Sequence, residues 1–281
     1  MTAVFRTYDQ AALDAQYNNR AMVPNHAAHI ARWAEESADV RRRLPGHLDI
    51  AYGPDARERL DFFPAVAAGA PVHLFVHGGY WRALDKSSFS YPAPHFRDAG
   101  LCFVALSYPL APSARMEAIV ASVRRALAWL QTHAAELGGD PSRISLSGHS
   151  AGGHLAAILA STPEGASLSG VVPISGLYDL EPIRLSYLND VLALDAPRAR
   201  AMSPLHHVAG GAAPMTLAVG AKESAEYHRQ QDDFARAWRD AGNPLSAALD
   251  LDGHDHFSIV GDLAQPQSTL FAAIYRHARR P

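Results

Sequence analysis

Apolar and polar positions follow three different spacings along this chain. Residues 1–45 mix them at helical intervals, in LDAQYNNR and HIARWAEESADVRRRL, and predict helices. From about residue 47 the interval shortens. HLDIAYG and RERLDFF alternate with a period of two, which suits a β-hairpin at a sheet edge. Short apolar runs bounded by turn residues follow: VHLFVHGG, LCFVALSYP, RISLSGHS, LSGVVPISG, PMTLAVG and LSAALDLDG. Such runs suit strands covered on both faces of a parallel sheet. Helical spacing returns between them. In 114–131, Ile119, Val120, Val123, Leu127 and Leu130 fall on one face, and in 225–241 Tyr227, Phe234 and Trp238 do the same. Strands alternating with helices predict βαβ units with right-handed crossovers. The segment 178–213 breaks this rhythm, so short helices at most are expected there, placed to form part of a lid. No repeat or low-complexity linker divides the chain. One domain is expected over 1–281, with 1–45 as a helical accessory layer.

Composition narrows the class. The chain is 48% hydrophobic and 19% charged, enough apolar material for a core. A net charge of -3 without any basic block argues against a nucleic-acid partner. The one cysteine, Cys102, lies inside an apolar strand and reads as a buried core thiol; it allows no intrachain disulfide and fits a reducing compartment. MTAVFRTYDQ has no basic region followed by an apolar run, and no stretch approaches the length of a membrane span. A cytoplasmic protein acting on a small molecule is expected, with neither nucleic acid nor membrane as partner. A homodimer is admitted by the sequence without being selected by it.

The strongest chemical signal is Gly148-His149-Ser150-Ala151-Gly152, a G-x-S-x-G motif between an apolar strand (RISLS) and a helix (HLAAILAS). A serine at a tight strand-to-helix turn projects Oγ from the carboxyl end of the sheet. Side chains at 148 or 152 would strike the neighbouring backbone, and the following helix places its positive end beneath the reacting centre. A second signal, His77-Gly78-Gly79-Tyr80-Trp81, directly follows VHLFV. The N–H groups of Gly78 and Gly79, with that of Ala151, are candidates for an oxyanion hole, and glycine lets a substrate approach the backbone closely. Tyr80 and Trp81 are expected to line the pocket, with Tyr178 as a further aromatic.

The general base should follow the last strand, where His254-Asp255-His256-Phe257 stands. His256 is preferred because it directly precedes the apolar start of a helix. Neither His254 with His256 nor His206 with His207 has a zinc-site spacing, so no metal is expected. The acid should follow PMTLAVG. Glu223 lies in the loop there, and Glu226 is already helical and reads as a solvated or dipole-stabilised charge. Asp252 and Asp255 are the next carboxylates in line. The order Ser150, Glu223, His256 is that of the α/β-hydrolases.

These residues together resemble the α/β-hydrolase kynurenine formamidases, or arylformamidases, and the N-terminal LDAQYNNRAMVP looks like the start of bacterial members. The likeness is carried by HGGYW at 77–81, GHSAGGHL at 148–155, ISGLYDLEPI at 174–183, ESAEYHRQ at 223–230 and DHFSIV at 255–260. It implies an α/β-hydrolase fold: a mostly parallel central sheet with helices on both faces. It further implies Ser150, Glu223 and His256 as a catalytic triad, Gly78 and Gly79 in the oxyanion loop, and no metal or organic cofactor. The implied reaction is hydrolysis of N-formyl-L-kynurenine to L-kynurenine and formate, a step of tryptophan breakdown. Arg82 and Arg184 are candidates for the substrate's carboxylate. One departure stands out: the best-known members carry Asp where Glu223 stands. The machinery would equally serve a carboxylesterase for short acyl esters. A hydrolase-fold binding protein is disfavoured because each catalytic position is filled.

Overall fold

The computed structural model describes residues 2–280. Its centre is an eight-stranded sheet in the order β1-β2-β4-β3-β5-β6-β7-β8. The strands are β1 (His47–Ala51), β2 (Arg59–Phe63), β3 (Ala70–Val76), β4 (Cys102–Leu106), β5 (Gly139–His149), β6 (Gly170–Ile174), β7 (Met215–Gly220) and β8 (Leu245–Leu251). The hairpin β1–β2 joins β4 antiparallel, and the pairs from β4 through β8 are parallel. Strands β3, β4, β6 and β7 are buried at each residue, as their unbroken apolar runs require. β8 departs from this expectation. Its burial alternates, because an edge strand is covered on one face only.

Helices α1 (Gln10–Tyr17), α2 (Asn19–Met22) and α3 (His26–Arg43) precede the sheet; α4 (Ala93–Asp98), α5 (Met116–His133) and α6 (Ala151–Ala160) cross between its strands. The 178–213 stretch holds three short helices, α7 (Glu181–Leu185), α8 (Asn189–Leu192) and α9 (Ala196–Ala201). Then come α10 (Ala225–Asp240), a 3-10 turn over Ser258–Ala264 and α11 (Thr269–Ala278). The stripe Ile119, Val123, Leu127 and Leu130 of α5 is buried against the sheet side. Truncating one of these leucines to alanine costs about 2–5 kcal/mol, the lost transfer energy plus a cavity. α5 runs on into a 3-10 turn, Ala134–Leu137. Gly138 stops it at φ +88°, a left-handed position that glycine takes without strain. Among the described residues no helix is long and apolar enough to cross a membrane.

The chain runs from β3 to β4 on one side and returns to β5 on the other. Strand order therefore reverses at β3 and β5, and a crevice opens at their carboxyl ends. The loops after β3, β5, β7 and β8 all discharge there, and they carry the residues of interest.

Candidate active site

The turn after β5 is built around Ser150, whose φ of 57° and ψ of -117° place a non-glycine residue in a strained conformation. Its N–H is held by the Ile174 carbonyl at 2.8 Å. A Cβ on Gly152 would lie 2.0 Å from the Val76 carbonyl oxygen, and one on Gly148 would lie 2.1 Å from that of Gly152. Only glycine permits β5, β3 and the start of α6 to approach so closely.

The loop after β8 brings His256 to Ser150: Nε2 is 3.1 Å from Oγ. On the other side of the ring, Nδ1 lies 2.6 Å from Glu223 Oε2. The carboxylate accepts from Nδ1–H, which leaves Nε2 free to accept from the serine. Glu223 is itself fixed, its Oε1 accepting from the Gly220 N–H at 2.8 Å and from the Ser175 hydroxyl at 2.5 Å. Glu226 is placed differently from the expectation. It is a buried carboxylate, 1% exposed, that accepts from the Tyr17 hydroxyl at 2.8 Å and pairs with Arg229 at 2.8 Å. His254 turns away toward Asp262 at 3.4 Å. Asp255 caps its own loop, accepting from the N–H groups of Phe257 and Ser258 at 2.9 and 2.8 Å.

The loop after β3 brings Gly78 against the nucleophile. A Cβ there would stand 3.1 Å from that of Ser150. Gly79 follows at φ +105°, where a Cβ would strike the Ala83 carbonyl oxygen at 2.3 Å. Among the described residues the N–H groups of Gly78 and Gly79 enter no turn or loop backbone hydrogen bond, and Ala151 opens α6, where a first-turn N–H has no intrahelical acceptor, so all three are candidate oxyanion donors.

Two residues support these loops without having been singled out by the sequence. The His77 ring is stacked on Tyr108 with centroids 4.4 Å apart, and its Nδ1–H donates to the Gly78 carbonyl at 2.7 Å. Burial lowers its pKa to about 4, so it is a neutral donor. His149 donates from Nε2 to the His256 carbonyl at 2.9 Å. Burial, then the neighbouring His256, push its pKa well below the ordinary histidine value. His149 occupies the open position of G-x-S-x-G, and His77 opens the His-Gly-Gly signal without having been given a role of its own.

The cleft above Ser150 has a cavity volume of about 100 Å³ and opens to solvent. Ile30, Trp33, Tyr80, Leu84, Tyr187 and Phe257 give it an apolar, largely aromatic wall, and Arg20 and Arg82 also border it. Tyr80 is therefore where the sequence placed it, but Trp81 and Tyr178 are not in this wall. Trp81 is fully buried, with its indole N–H directed at His154 Nδ1 at 3.2 Å. Tyr178 is stacked on Phe234 with centroids 4.4 Å apart, and its backbone N–H is held by Gln230. Of the two arginines considered, Arg82 borders the cleft, and Arg184 is paired with Glu181 at 2.7 Å. The 178–213 segment contributes Tyr187 to the wall, whereas Asn18, Asn19, Arg20, Ile30 and Trp33 come from the N-terminal helices. The accessory layer thus lines the cleft.

Fold and site together define a serine hydrolase of the α/β-hydrolase class. The BD-FAE family profile matches residues 60–237. Over 257 residues the chain is 30% identical to the kynurenine formamidase of Danio rerio, covering 87% of this chain and 85% of that one. This chain belongs to the kynurenine formamidase family of α/β-hydrolases. Esterase LipQ of Mycobacterium tuberculosis is 31% identical over 84% of the chain, which spans 64% of LipQ. A crystal structure from Silicibacter sp., of a protein provisionally named a thioesterase, superposes with a TM-score of 0.84 at 34% identity, covering 93% of this chain and 98% of that one. The fold is also shared with a Pyrobaculum calidifontis esterase, at a TM-score of 0.71 and 17% identity over 92% and 94% of the two chains.

Proposed function

We propose that this protein hydrolyses aryl formamides, with N-formyl-L-kynurenine as substrate and L-kynurenine and formate as products. The observation that carries this reading is a hydrogen-bonded Ser150–His256–Glu223 line at the foot of an aromatic cleft, in a chain similar to kynurenine formamidases through most of its length. Glu223 holds His256 in the tautomer that accepts from Ser150. As Oγ attacks the formyl carbon, its proton passes to Nε2, and the oxyanion forms among the N–H groups of Gly78, Gly79 and Ala151. The imidazolium then protonates the aniline nitrogen, which leaves. Water, deprotonated by the same imidazole, attacks the formyl-enzyme and releases formate. A formyl carbon bears hydrogen in place of an alkyl group, which suits a nucleophile only 2% exposed. Trp33, Tyr80 and Phe257 among the lining residues give the cleft the aromatic character that suits an aryl group. No metal or organic cofactor takes part in this scheme. The lone, buried Cys102 supports the cytoplasm as its compartment.

A second reading, ester hydrolysis, is favoured by the similarity to LipQ. Steady-state kinetics with N-formyl-L-kynurenine, p-nitrophenyl acetate and p-nitrophenyl butyrate separate the two. For a formamidase, kcat/KM should be highest on the formamide and should fall about tenfold or more from acetate to butyrate. Butyrate as the best substrate would assign a carboxylesterase.

A further inference from the structure

A second set of buried polar groups borders the nucleophile and takes no part in the scheme above. Asn19, which opens α2, is 4% exposed, and Tyr227, in the first turn of α10, is 1% exposed. Asn19 Nδ2 donates to the Tyr227 hydroxyl at 2.8 Å and to the Tyr80 hydroxyl at 3.1 Å. The Tyr80 hydroxyl in turn donates to the Tyr17 carbonyl at 2.7 Å and lies 2.9 Å from the Tyr227 hydroxyl. A phenol has one proton to give. Tyr80 commits its own to the carbonyl, so within the tyrosine pair Tyr227 is the donor and Tyr80 the acceptor. The Tyr227 proton is thus bound to a hydroxyl rather than to a carbonyl. The Tyr227 ring packs 4.9 Å from that of His256, and both hydrogen-bond partners of its hydroxyl, Asn19 and Tyr80, line the cleft together with Ser150.

We infer that Asn19 and Tyr227 are a positioning pair for the nucleophile: Asn19 fixes the Tyr227 phenol, whose O–H turns from Tyr80 to Ser150 Oγ once the serine proton has passed to His256. No bond is made or broken at Tyr227. The serine proton goes to Nε2, Oγ gains negative charge as it attacks, and the phenol keeps its proton while pointing it at Oγ. Burial, followed by the nearby Glu223 charge, raises the phenol above its ordinary pKa, so it donates and does not act as a base. The same contact holds Oγ when it departs during release of the acyl group. The inference rests on Ser150 as nucleophile and holds for a formamide or an ester alike.

Three variants test it: Tyr227→Phe, which removes the hydroxyl alone, Asn19→Asp, which keeps the shape but draws the phenol proton to a carboxylate, and the double variant. Each is measured by kcat and KM on p-nitrophenyl acetate and on N-formyl-L-kynurenine, and by the rate constant of inactivation by a fluorophosphonate. The last reports attack by Oγ and does not depend on the fraction folded. Either single change should lower kcat and the inactivation rate about tenfold, the scale of one charge-assisted hydrogen bond, with KM within about twofold. The double variant should be no slower than Tyr227→Phe, because both act through one contact. Wild-type inactivation and kcat in Tyr227→Phe would overturn the inference. So would an effect on KM alone, or single losses that multiply in the double variant. A tenfold loss on the ester in a protein inert toward N-formyl-L-kynurenine would keep the pair and overturn the formamide reading.

Discussion

Acidification should unfold this protein from within. Four imidazoles are held neutral in the interior by burial: His73, at a pKa of about 3, and His77, His154 and His277, each at about 4. In the unfolded chain each returns to about 6.5. The unfolded state therefore binds more protons between these limits, and stability rises with pH there. Stability is complete above about pH 6.5 and is lost as pH falls toward the folded-state values. Between pH 7.5 and 5.5 each histidine should cost on the order of 1 kcal/mol, and the four together roughly 5 kcal/mol, comparable with the whole stability of an ordinary domain. His149 acts in the same direction. The carboxylates with lowered pKa values, such as Asp49 and Asp255, add their losses only at lower pH. Urea unfolding at half-unit steps from pH 7.5 to 5.5 would follow the decline. His277→Gln, outside the cleft wall and with its ring hydrogen-bonded to Thr216 at 2.9 Å, should lose about a quarter of the slope whatever its stability at pH 7.5. A free energy of unfolding that stays flat over this range, or an unchanged slope in His277→Gln, would refute the assignment of these imidazoles as buried and neutral.

The remaining predictions concern the chemistry. Ser150→Ala should cut turnover about a thousandfold or more while leaving the thermal midpoint near wild type, read by steady-state kinetics and circular dichroism. His256→Ala should be as damaging, and the Ser150→Ala/His256→Ala pair hardly worse, whereas His254→Ala should keep most activity; the opposite ranking would move the base to His254. Glu223→Gln should lower kcat strongly with little change in KM, because the amide can donate to Nδ1 and leave the proton on Nε2. Glu226→Gln should instead lower stability by about 2–4 kcal/mol in urea unfolding, through its broken buried pair with Arg229, and leave kcat largely intact. Prolonged EDTA treatment should leave the rate unchanged; a loss that zinc restores would call for a metal site.

Spacing alone shows which face of an element is buried, and so the inner strands and α5 were legible in the sequence. It does not show what that face is buried against. The N-terminal helices could be read as helices, but their place over the cleft could not, because their partners lie far along the chain. Tyr17 meets Glu226 across 209 positions, and Asn19 meets Tyr227 across 208. No local pattern encodes such contacts. The aromatic wall was partly misread for a related reason. Tyr80 and Trp81 both have positive φ, 48° and 55°, so the loop departs from strand geometry and sends Trp81 into the core beside His154 while Tyr80 stays at the cleft. The motif conveys the presence of two aromatics and not the turn that separates them.

The Ser150–His256–Glu223 line could be read more fully because its geometry constrains the chain locally: glycines on both sides of a serine, a strand before it, a helix after it. The glutamate at position 223 was the open question, since the family resemblance implies the shorter aspartate there. The structure accommodates that length without displacing the ring it serves. One oxygen, Oε1, is drawn back onto the Gly220 N–H and the Ser175 hydroxyl, and the other reaches His256 Nδ1. The tether has its own requirement at Gly220, where a Cβ would come 3.2 Å from Oε1 and 2.7 Å from the His254 carbonyl oxygen. Ser175 contributes from a left-handed backbone position, φ 49°, at the end of β6. A glutamate can serve here because two neighbouring loops supply donors that hold its second oxygen. Its position depends on Ser175 as directly as that of His256 depends on Glu223.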